Sequence, residues 1–232
     1  DDNVAPITGA IVDGTVTNDN TPTLSGKATP EVKTVNVYDG SKLLGSAPVQ
    51  ADGTWSFTPN PALTEGGHSF IAKPVDAANN EGAGTDPIDF VVDTVLPTAS
   101  AELTTITQDS GVVGDFLTND NTLVFAGAVK GTLLAGEKVQ VRVDGGAWKD
   151  AIVSGTNWSY DHTASTLTDG KHKVETRVVD LAGNGTTPLA KDVTIDTVAP
   201  NPTTSLSDIK LDDNVAPNTG ATVDGTVTND NT

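Results

Sequence analysis

The chain contains neither cysteine nor methionine. The absence of cysteine excludes a disulfide framework and any site built on thiolate ligands. Aromatic residues make up only 4% of the 232 residues, so a heavily aromatic core is excluded as well. A secreted domain without either feature needs another source of rigidity, and a bound metal is one. The chain also lacks an initiator methionine, a signal peptide and a long apolar run, and we therefore expect an internal fragment of a longer protein.

Basic residues are scarce. Lysine and arginine number 13 against 31 aspartates and glutamates, which gives a formal net charge of −18. This charge repels phosphate backbones and anionic lipid, so we expect neither a nucleic-acid partner nor insertion into a membrane. The acidity has two interpretations, namely solubility or a supply of ligands for divalent cations. The second is favoured because most of the acids are aspartates that recur at matched places.

Helical periodicity is also missing from the chain. Thr, Val, Gly, Asp and Asn dominate, and 23 glycines and 13 prolines separate short apolar runs. Short runs with regular turn residues are typical of an all-β sandwich or barrel.

A long repeat is the clearest feature that is present. Residues 1–21 and 212–232 differ only at Ile7, which is replaced by Asn218, and at Ile11, which is replaced by Thr222. Both differences exchange an isoleucine for a polar residue. A buried strand does not accept such exchanges easily, so this stretch is expected to be an exposed loop.

A second, more diverged repeat of about 100 residues, the length of an Ig domain, lies inside the first. The run Thr-Asn-Asp-Asn-Thr occurs at 17–21, 118–122 and 228–232, and five further blocks match in the same order, including Trp-Ser-Phe with Trp-Ser-Tyr. We predict an all-β fold of tandem seven-stranded Ig-like β-sandwich domains arranged end to end. The predicted domains are 1–96, 97–199 and the start of a third at 200–232.

Strands can be placed from the alternation of apolar residues and the turn signals. In the second repeat we predict A at 99–106, B at 122–128, C at 137–143, D at 147–152, E at 156–161, F at 170–179 and G at 187–195. In the first repeat, Asp1 corresponds to Asp212, which follows the predicted A strand around Thr203–Ile209. The first domain is therefore expected to lack its own A strand. We expect head-to-tail strand exchange, in which residues 201–211 of a neighbouring molecule fill the open sheet edge.

Acidic and amide side chains recur at the ends of the predicted sandwiches. Strands of an Ig sandwich alternate in direction, so the AB loop lies beside the end of strand G and the FG loop lies at the opposite pole. Each of the first two Thr-Asn-Asp-Asn-Thr runs occupies an AB loop, and Asp93 ends a G strand. Asp180 and Asn184 belong to the FG loop of the second domain. Joining the domains end to end would bring these groups together.

Calcium suits such a collection of oxygens, because it takes about six to eight ligands from carboxylates, amides, carbonyls and water. Carboxylates gathered without a cation would repel one another. The predicted calcium ligands are Asp13, Asp19, Asn20, Asp76, Asp93, Asp109, Asp115, Asp120, Asp180, Asn184 and Asp196. Asp1 and Asp2 are weaker counterparts of Asp109. The alternative for any one of these residues is a turn or cap role, in which the side chain accepts backbone N–H groups.

Other candidate residues point to structure rather than chemistry. His68 and His172 occupy matched positions at the start of strand F, and Trp55 and Trp158 occupy matched positions as core anchors. Trp148 has no counterpart, and its role is either packing at an edge strand or a surface contact. The sequence has no catalytic triad pattern, phosphate loop or zinc spacing, so an enzyme is not expected.

The repeated motifs resemble a known family. Thr-Asn-Asp-Asn-Thr-Pro-Thr-Leu-Ser-Gly, Leu-Thr-Asp-Gly-Lys-His-Lys-Val, Val-Asp-Leu-Ala-Gly-Asn and Asp-Thr-Val-Ala-Pro are similar to the bacterial Ig-like repeats of giant type I-secreted surface adhesins, the Bap-like and RTX-adhesin group. The resemblance implies tandem β-sandwich modules, calcium at domain junctions, export of a cysteine-free chain and a stalk that projects an adhesive tip. Asn79-Asn80 departs from the Gly-Asn of that pattern.

We therefore expect a calcium-rigidified stalk module of an extracellular adhesin on a bacterial cell surface, involved in biofilm formation or host attachment. Its partners would be the neighbouring Ig-like repeats of the same chain. Two alternatives stay open at this point. One is a ligand-binding module for a glycan or a protein, and the other is an accessory domain of an extracellular enzyme.

Overall fold

A computed structural model describes residues 1–201, Ser207, 211–215 and 218–222. These described residues form 18 β-strands and no helix, so none of them forms a helix able to cross a membrane. By internal contacts the chain divides into two compact units, Asp1–Asp196 and Thr197–Thr232. The first unit contains two β-sandwiches, which are called sandwich 1 and sandwich 2 below.

Sandwich 1 consists of seven strands. They are β1 (Thr15–Thr17), β2 (Leu24–Lys27), β3 (Val32–Asp39), β4 (Lys42–Pro48), β5 (Thr54–Phe57), β6 (Gly66–Asp76) and β7 (Ile88–Val92). Five of them form a sheet in the order β1-β7-β6-β3-β4, and β2 pairs with β5. The core lies between the two sheets and is centred on Val37, Phe70 and Phe90, with Trp55 and Phe57 of β5 packed against it.

Sandwich 2 has the same plan with more strands. They are β8 (Ser100–Ile106), β9 (Leu117–Thr118), β10 (Val124–Lys130), β11 (Lys138–Val143), β12 (Lys149–Asp150), β13 (Ile152–Ser154), β14 (Asn157–Asp161), β15 (Gly170–Val179) and β16 (Leu189–Ile195). Their sheets have the orders β13-β14-β10-β8 and β12-β11-β15-β16-β9. The predicted all-β fold of tandem sandwiches is confirmed.

Alternation of side chains explains why these runs form strands. Successive residues of a strand point to opposite faces, so one apolar face can be buried while the other stays polar. In β11, Val139 and Val141 are fully buried, and in β15, Val174 and Val178 are fully buried in the same core. The predicted bounds of strand F, 170–179, coincide with those of β15.

The predicted strand D at 147–152 is wrong as a single strand. Lys149–Asp150 pairs with β11, whereas Ile152–Ser154 pairs with β14 in the other sheet. The chain changes sheets at Ala151, whose N–H donates to the carbonyl oxygen of Val139 at 2.8 Å. A local apolar pattern identifies an extended segment but does not say which sheet it joins, because pairing is a tertiary choice.

The repeated sequence at the two ends of the chain forms the same local pairing. β17 (Leu211–Val215) and β18 (Asn218–Thr222) are antiparallel and pair Asp213 with Gly220. The identical residues of the first copy form a bridge between Asp2 and Gly9. The third Thr-Asn-Asp-Asn-Thr run lies outside the described residues, and so does the predicted A strand of the third repeat apart from Ser207.

Candidate functional site at the domain junction

The AB loop of each sandwich lies beside the end of its last strand. β1 runs parallel to β7, and the carbonyl oxygen of Thr17 accepts the N–H of Asp93 at 2.9 Å. In sandwich 2, β9 runs parallel to β16, and the carbonyl oxygen of Thr118 accepts the N–H of Asp196 at 2.9 Å. The first threonine of each of the first two runs, Thr17 or Thr118, is therefore a strand residue. The rest of the run forms the turn that follows, at the pole where the sequence places it.

The aspartate of each of the first two runs, Asp19 or Asp120, organises its own turn. One carboxylate oxygen of Asp19 accepts the N–H and the hydroxyl of Thr21 at 2.8 and 3.1 Å. Asp120 accepts the same two groups of Thr122 at 2.9 Å each. This is the Asx-turn role that aspartate takes at positions of this kind. It uses only Oδ1 of either aspartate, and Oδ2 of Asp19 accepts the N–H of Asn3 at 3.1 Å.

Two acidic side chains are buried together in sandwich 1. Asp19 is 0% exposed and Asp2 is 6% exposed. Thr17 links them, since its hydroxyl donates to Asp2 Oδ2 at 2.6 Å and accepts the N–H of Asp19 at 3.0 Å. Neither carboxylate forms an ion pair with any side chain in the described part of the chain. Buried charges are normally paired or bound to a metal, so this pair is a candidate for cation binding.

The FG loop of sandwich 2 contacts the end of sandwich 1. Asp180 accepts the backbone N–H and the side-chain amide of Asn184, both at 2.9 Å. The same Nδ2 of Asn184 also donates to the carbonyl oxygen of Asp93 at 2.8 Å. Asp180 therefore orients the amide that connects the two sandwiches. The equivalent Asn80 makes both of the same bonds to Asp76 at 2.9 Å.

Gly183 allows the sandwiches to approach closely. It has a φ of 88°, and a Cβ at this position would lie 3.0 Å from Pro6 Cγ and 3.1 Å from Ile7 Cγ1. Glycine adopts left-handed backbone without strain and leaves room for these two residues of sandwich 1. At the matching position of sandwich 1, Asn79 has a φ of 65°. Asparagine tolerates this conformation, which explains how the departure from Gly-Asn keeps the same loop.

The connection between the sandwiches is held along its length. Glu65 accepts the N–H of Thr94 at 3.0 Å and also its hydroxyl. Asp93 Oδ1 accepts the N–H of Val95 at 3.1 Å. A crevice at the junction is lined by apolar residues of the linker and of both sandwiches, among them Val16, Val95, Leu96, Pro97, Leu134 and Leu181. The linker is thus held by hydrogen bonds at its start, and Pro97 is buried farther along it.

Unpaired acceptor oxygens occur in both AB loops. Oδ1 of Asp109 is buried without a hydrogen-bond partner, while its Oδ2 accepts the N–H of Gly114 at 2.6 Å. Oδ1 of Asn18 is also buried without a partner, while its Nδ2 donates to Ala5 O at 3.2 Å. A buried polar atom without a partner costs about 1–3 kcal/mol. Both atoms are acceptors, and a bound cation would satisfy them.

The remaining predicted ligands have local roles. Asp115 Oδ1 accepts the N–H of Leu117 at 2.9 Å, and Asp13 Oδ1 accepts the N–H of Asp89 at 3.1 Å. The carbonyl of Asn20 accepts the N–H of Leu63 at 2.8 Å. Within the described ranges, no three His, Asp or Glu side chains converge in a group that could hold a metal. The calcium site stays a prediction.

Comparison with known proteins places the chain in a family. A family model described as bacterial Ig-like domain matches residues 2–94 and again residues 96–197. The chain belongs to the bacterial Ig-like domain family. Each match covers one sandwich, so both sandwiches are Ig-like domains.

Several proteins are similar to this pair of Ig-like domains. Bacillopeptidase F of Bacillus subtilis (strain 168) is 32% identical over 178 residues, which are 75% of this chain and 11% of that protein. The fibronectin(III)-like modules of Clostridium thermocellum CbhA align over 79% of this chain and 90% of theirs, with 16% identity and a TM-score of 0.52, which supports the fold alone. A tetra-tandem repeat in the extending region of a large adhesion protein aligns over 77% of this chain and 46% of its own, with 21% identity and a TM-score of 0.27.

The matched histidines stabilise both Ig-like domains in the same way. His68 Nδ1 lies 2.8 Å from Asp39 Oδ2, and its Nε2 lies 2.8 Å from the carbonyl oxygen of Thr64. His172 makes the corresponding contacts with Asp144 and Thr168, both at 2.7 Å. Each histidine thus connects the start of β6 or β15 to the C-terminal end of β3 or β11 and to the loop before its own strand.

Trp148 packs against its own domain. Its ring lies 4.5 Å from the guanidinium carbon of Arg142 and 4.3 Å from that of Arg177. Glu175 accepts from Arg142 Nε at 2.8 Å, and burial, with the neighbouring Arg142, lowers the pKa of Arg177. Of the two roles left open for Trp148, packing at the sheet is the one that these contacts favour. Trp158 is buried at 2% exposure, as a core anchor should be, whereas Trp55 is only half-buried.

Proposed function

We propose that this chain is a non-catalytic spacer module in the extracellular stalk of a bacterial cell-surface adhesin used in biofilm formation or host attachment. Calcium holds neighbouring repeats in line, and the stalk carries an adhesive tip away from the cell. The family membership supports a structural module, and the tandem arrangement supports a role in spanning distance.

The direct contact between the two domains is the observation that carries this proposal. The amide of Asn184 bonds to the carbonyl of Asp93 at 2.8 Å, and Pro6 and Ile7 pack at Gly183. A flexible linker would instead leave the domain ends free of each other. Domains joined in this way keep a fixed orientation relative to one another, as a stalk requires.

Calcium fits by type the oxygen donors beside the last strand of each sandwich. The buried carboxylates of Asp2 and Asp19 have no cationic side chain beside them among the described residues, and the buried oxygen of Asn18 lacks a donor. Asp19, Asn18 and Asp2 would hold the ion in sandwich 1, and Asp109 and Asp120 would do so in sandwich 2. The ion would neutralise these carboxylates and restrain the loops. Extracellular modules bind calcium with Kd values of about 10⁻⁴–10⁻³ M, so such sites fill after export.

Calorimetric titration of the chain with calcium tests this part of the proposal. We expect binding in the range given above and a higher melting temperature in millimolar calcium than in excess EDTA, because the ion binds only the folded form. Asp19→Asn should weaken binding at sandwich 1. Asp52→Asn is the matched control, because Asp52 forms the same turn with Thr54 but is exposed.

Small-angle scattering of the same samples tests the spacer role. We expect a narrower distribution of shapes with calcium than with EDTA. An unchanged scattering profile in excess EDTA would contradict calcium-dependent rigidity. Retained calcium binding in Asp19→Asn would remove the site in sandwich 1.

One alternative is favoured by a specific observation. The curated relative, bacillopeptidase F, is by its name a peptidase, and this chain covers 11% of it. An accessory role in a larger extracellular enzyme is therefore the second candidate. Sequencing the gene on both sides of this stretch distinguishes the two, because an adjoining catalytic domain would support the accessory role. A glycan-binding role has no comparable support, since Trp148 is engaged by Arg142 and Arg177.

A further inference from the structure

Sandwich 2 carries both arginines of the chain on one sheet face. Arg142 of β11 and Arg177 of β15 alternate with the buried Val141 and Val178, so their side chains project from the face turned away from the core. The guanidinium carbons of the two arginines lie 4.5 and 4.3 Å from the centre of the Trp148 ring. In a chain with a net charge of −18, this is a local concentration of positive charge.

The two arginines differ in their partners. Arg142 Nε donates to Glu175 Oε2 at 2.8 Å, and Lys173 Nζ lies 3.5 Å from the other oxygen of that carboxylate. Arg177 instead donates through Nε and Nη2 to the amide oxygen of Gln140, at 3.0 and 2.8 Å. In the described part of the chain, Arg177 forms no ion pair, and its Nη1 forms no hydrogen bond. The half-buried Arg177 guanidinium therefore has no carboxylate partner among the described residues.

The matched strands of sandwich 1 show how a cation at this position is otherwise neutralised. Lys73 of β6 pairs with Asn36 of β3. Arg177 pairs with Gln140 of β11 in the same way, so Lys73 is its counterpart. Glu81 Oε2 lies 3.3 Å from Lys73 Nζ, and Glu81 Oε1 accepts the amide of Asn36 at 3.0 Å. One carboxylate thus serves both members of the pair in sandwich 1.

The residue that supplies this carboxylate is replaced by glycine in sandwich 2. Glu81 forms a β-bridge with Val75. Gly185 forms the same bridge with Val179, so it holds the place of Glu81. A Cβ on Gly185 would lie 3.0 Å from Arg177 Nη1 and 3.4 Å from Arg177 Cζ. A side chain at this position would therefore begin beside the guanidinium, and glycine provides neither cover nor charge there.

We propose that Arg177, together with Arg142 and Trp148, forms a carboxylate-binding site on sandwich 2, and that a glutamate side chain of an acidic partner protein occupies it. The partner's carboxylate takes the place that Glu81 holds in sandwich 1 and accepts from Arg177 Nη1. Arg142 adds a second positive charge, and Trp148 positions both guanidinium groups. Hydrogen bonds between a guanidinium and a carboxylate are about twice as strong as neutral ones. This inference does not depend on calcium or on the spacer role.

The surroundings of the site favour a protein side chain over a sugar. Both arginines engage the Trp148 ring, so this ring is not free to stack on a sugar face. Tryptophan and arginine are also the residue types that are enriched where protein partners bind most strongly. Burial and the neighbouring Arg142 lower the pKa of Arg177, which shows that its charge is disfavoured there. A carboxylate supplied by a partner would offset this cost.

Titration of the full chain with a fluorescent hexaglutamate peptide, followed by anisotropy in calcium-free buffer, tests the proposal. The chain as a whole repels this polyanion, so binding at an ionic strength of about 0.15 M reports a local site. Arg177→Gln should bind at least about tenfold more weakly, because it removes a charged hydrogen-bond donor. Lys73→Gln is the matched control and should bind like the wild type, since Lys73 already has Glu81.

Gly185→Glu provides a second variant that leaves both arginines in place. It supplies a carboxylate within the chain, as Glu81 does in sandwich 1, and should abolish binding of the peptide. The contact that its Cβ makes is with the end of the flexible Arg177 side chain, which can move aside. Thermal unfolding followed by circular dichroism shows whether both variants are folded.

Three results would overturn the proposal. The first is a wild-type chain that does not bind hexaglutamate. The second is a folded Arg177→Gln or Gly185→Glu chain that binds the peptide as tightly as the wild type. The third is tighter binding of polygalacturonate, a polymer of sugar carboxylates, than of hexaglutamate, which would indicate a glycan site instead. Hexaglutamine should not bind, because it lacks the carboxylate.

Discussion

Single residues connect the turns of each Ig-like domain to its strands, and His172 is the clearest case. Both nitrogens of its ring face oxygen atoms, of Asp144 and of Thr168, an arrangement suited to an imidazolium with two donors. Burial of the ring lowers the pKa of His172, but the bonds to Asp144 and to the Thr168 carbonyl outweigh burial, and the pKa is raised overall. His162 has the opposite behaviour, because burial dominates and lowers its pKa.

The raised pKa of His172 predicts a pH dependence of stability. The folded state binds this proton more tightly than the unfolded state, so the stabilisation is fully present below the unfolded pKa of about 6.5 and is lost as the pH rises through the folded pKa. The difference in melting temperature between wild type and His172→Gln should therefore be largest in mildly acidic buffer. The lowered pKa of His162 predicts the opposite trend, because protonation of this ring destabilises the folded wild type. Relative to wild type, His162→Gln should therefore become more stable as the pH falls. A His172→Gln difference that grows with rising pH would contradict the assignment.

At the scale of elements, matched strands of the two domains have different neighbours among the described residues. β8 closes the core of sandwich 2, and Trp158 beneath it is buried. The same tryptophan position in sandwich 1, Trp55, is half-buried, because no described strand covers β2. Gly127 of β10 pairs with Trp158, and Gly26 of β2 pairs with Trp55 in the same way. These two glycines therefore hold equivalent positions but have different neighbours.

Alanine at these two glycines should have unequal effects. Gly127→Ala forces the β8 backbone away from β10 and should reduce the free energy of unfolding of sandwich 2 by about 3 kcal/mol or more. Gly26→Ala should change that of sandwich 1 by less than about 1 kcal/mol, because only the Trp55 ring must adjust. Urea unfolding monitored by tryptophan fluorescence measures both. Equal losses would show that the two edges are occupied alike.

The FG loops provide a second matched pair of elements. Asn184 and Asn80 make the same bonds within their loops, but Asn184 also bonds to Asp93 across the junction. Asn184→Ala should widen the range of angles between the two domains, and Asn80→Ala should not. Residual dipolar couplings measured for both domains report this angle. A junction that is equally ordered in both variants would show that the amide of Asn184 does not hold it.

The whole molecule carries a net charge of −18, and this charge affects how the calcium experiments are interpreted. Any added salt screens repulsion between exposed carboxylates over a Debye length of about 8 Å at 0.15 M ionic strength. Sodium chloride at matched ionic strength should therefore reproduce the part of the calcium effect that comes from screening alone. We expect a larger melting-temperature increase with calcium than with sodium at equal ionic strength. Equal increases would indicate screening without a site.

The sequence by itself determined the fold class, the tandem repeat, the position of the repeated run next to Asp93 and Asp196, and the structural role of the matched histidines. These follow from alternation and repeat spacing, which are local or periodic features of the chain. The division of strand D between two sheets followed only from the tertiary structure, because pairing partners are chosen by packing.

The detail of the junction was also decided only by the tertiary structure. The burial of Asp2 beside Asp19 and the contact of Pro6 and Ile7 with Gly183 join residues that are distant in sequence or belong to different domains. The residue pattern within one repeat does not specify which distant residues come into contact. The sequence predicted calcium ligands at the domain ends, which stays a prediction, and the fold decided that Asp19 and Asp120 each use one carboxylate oxygen to hold a turn.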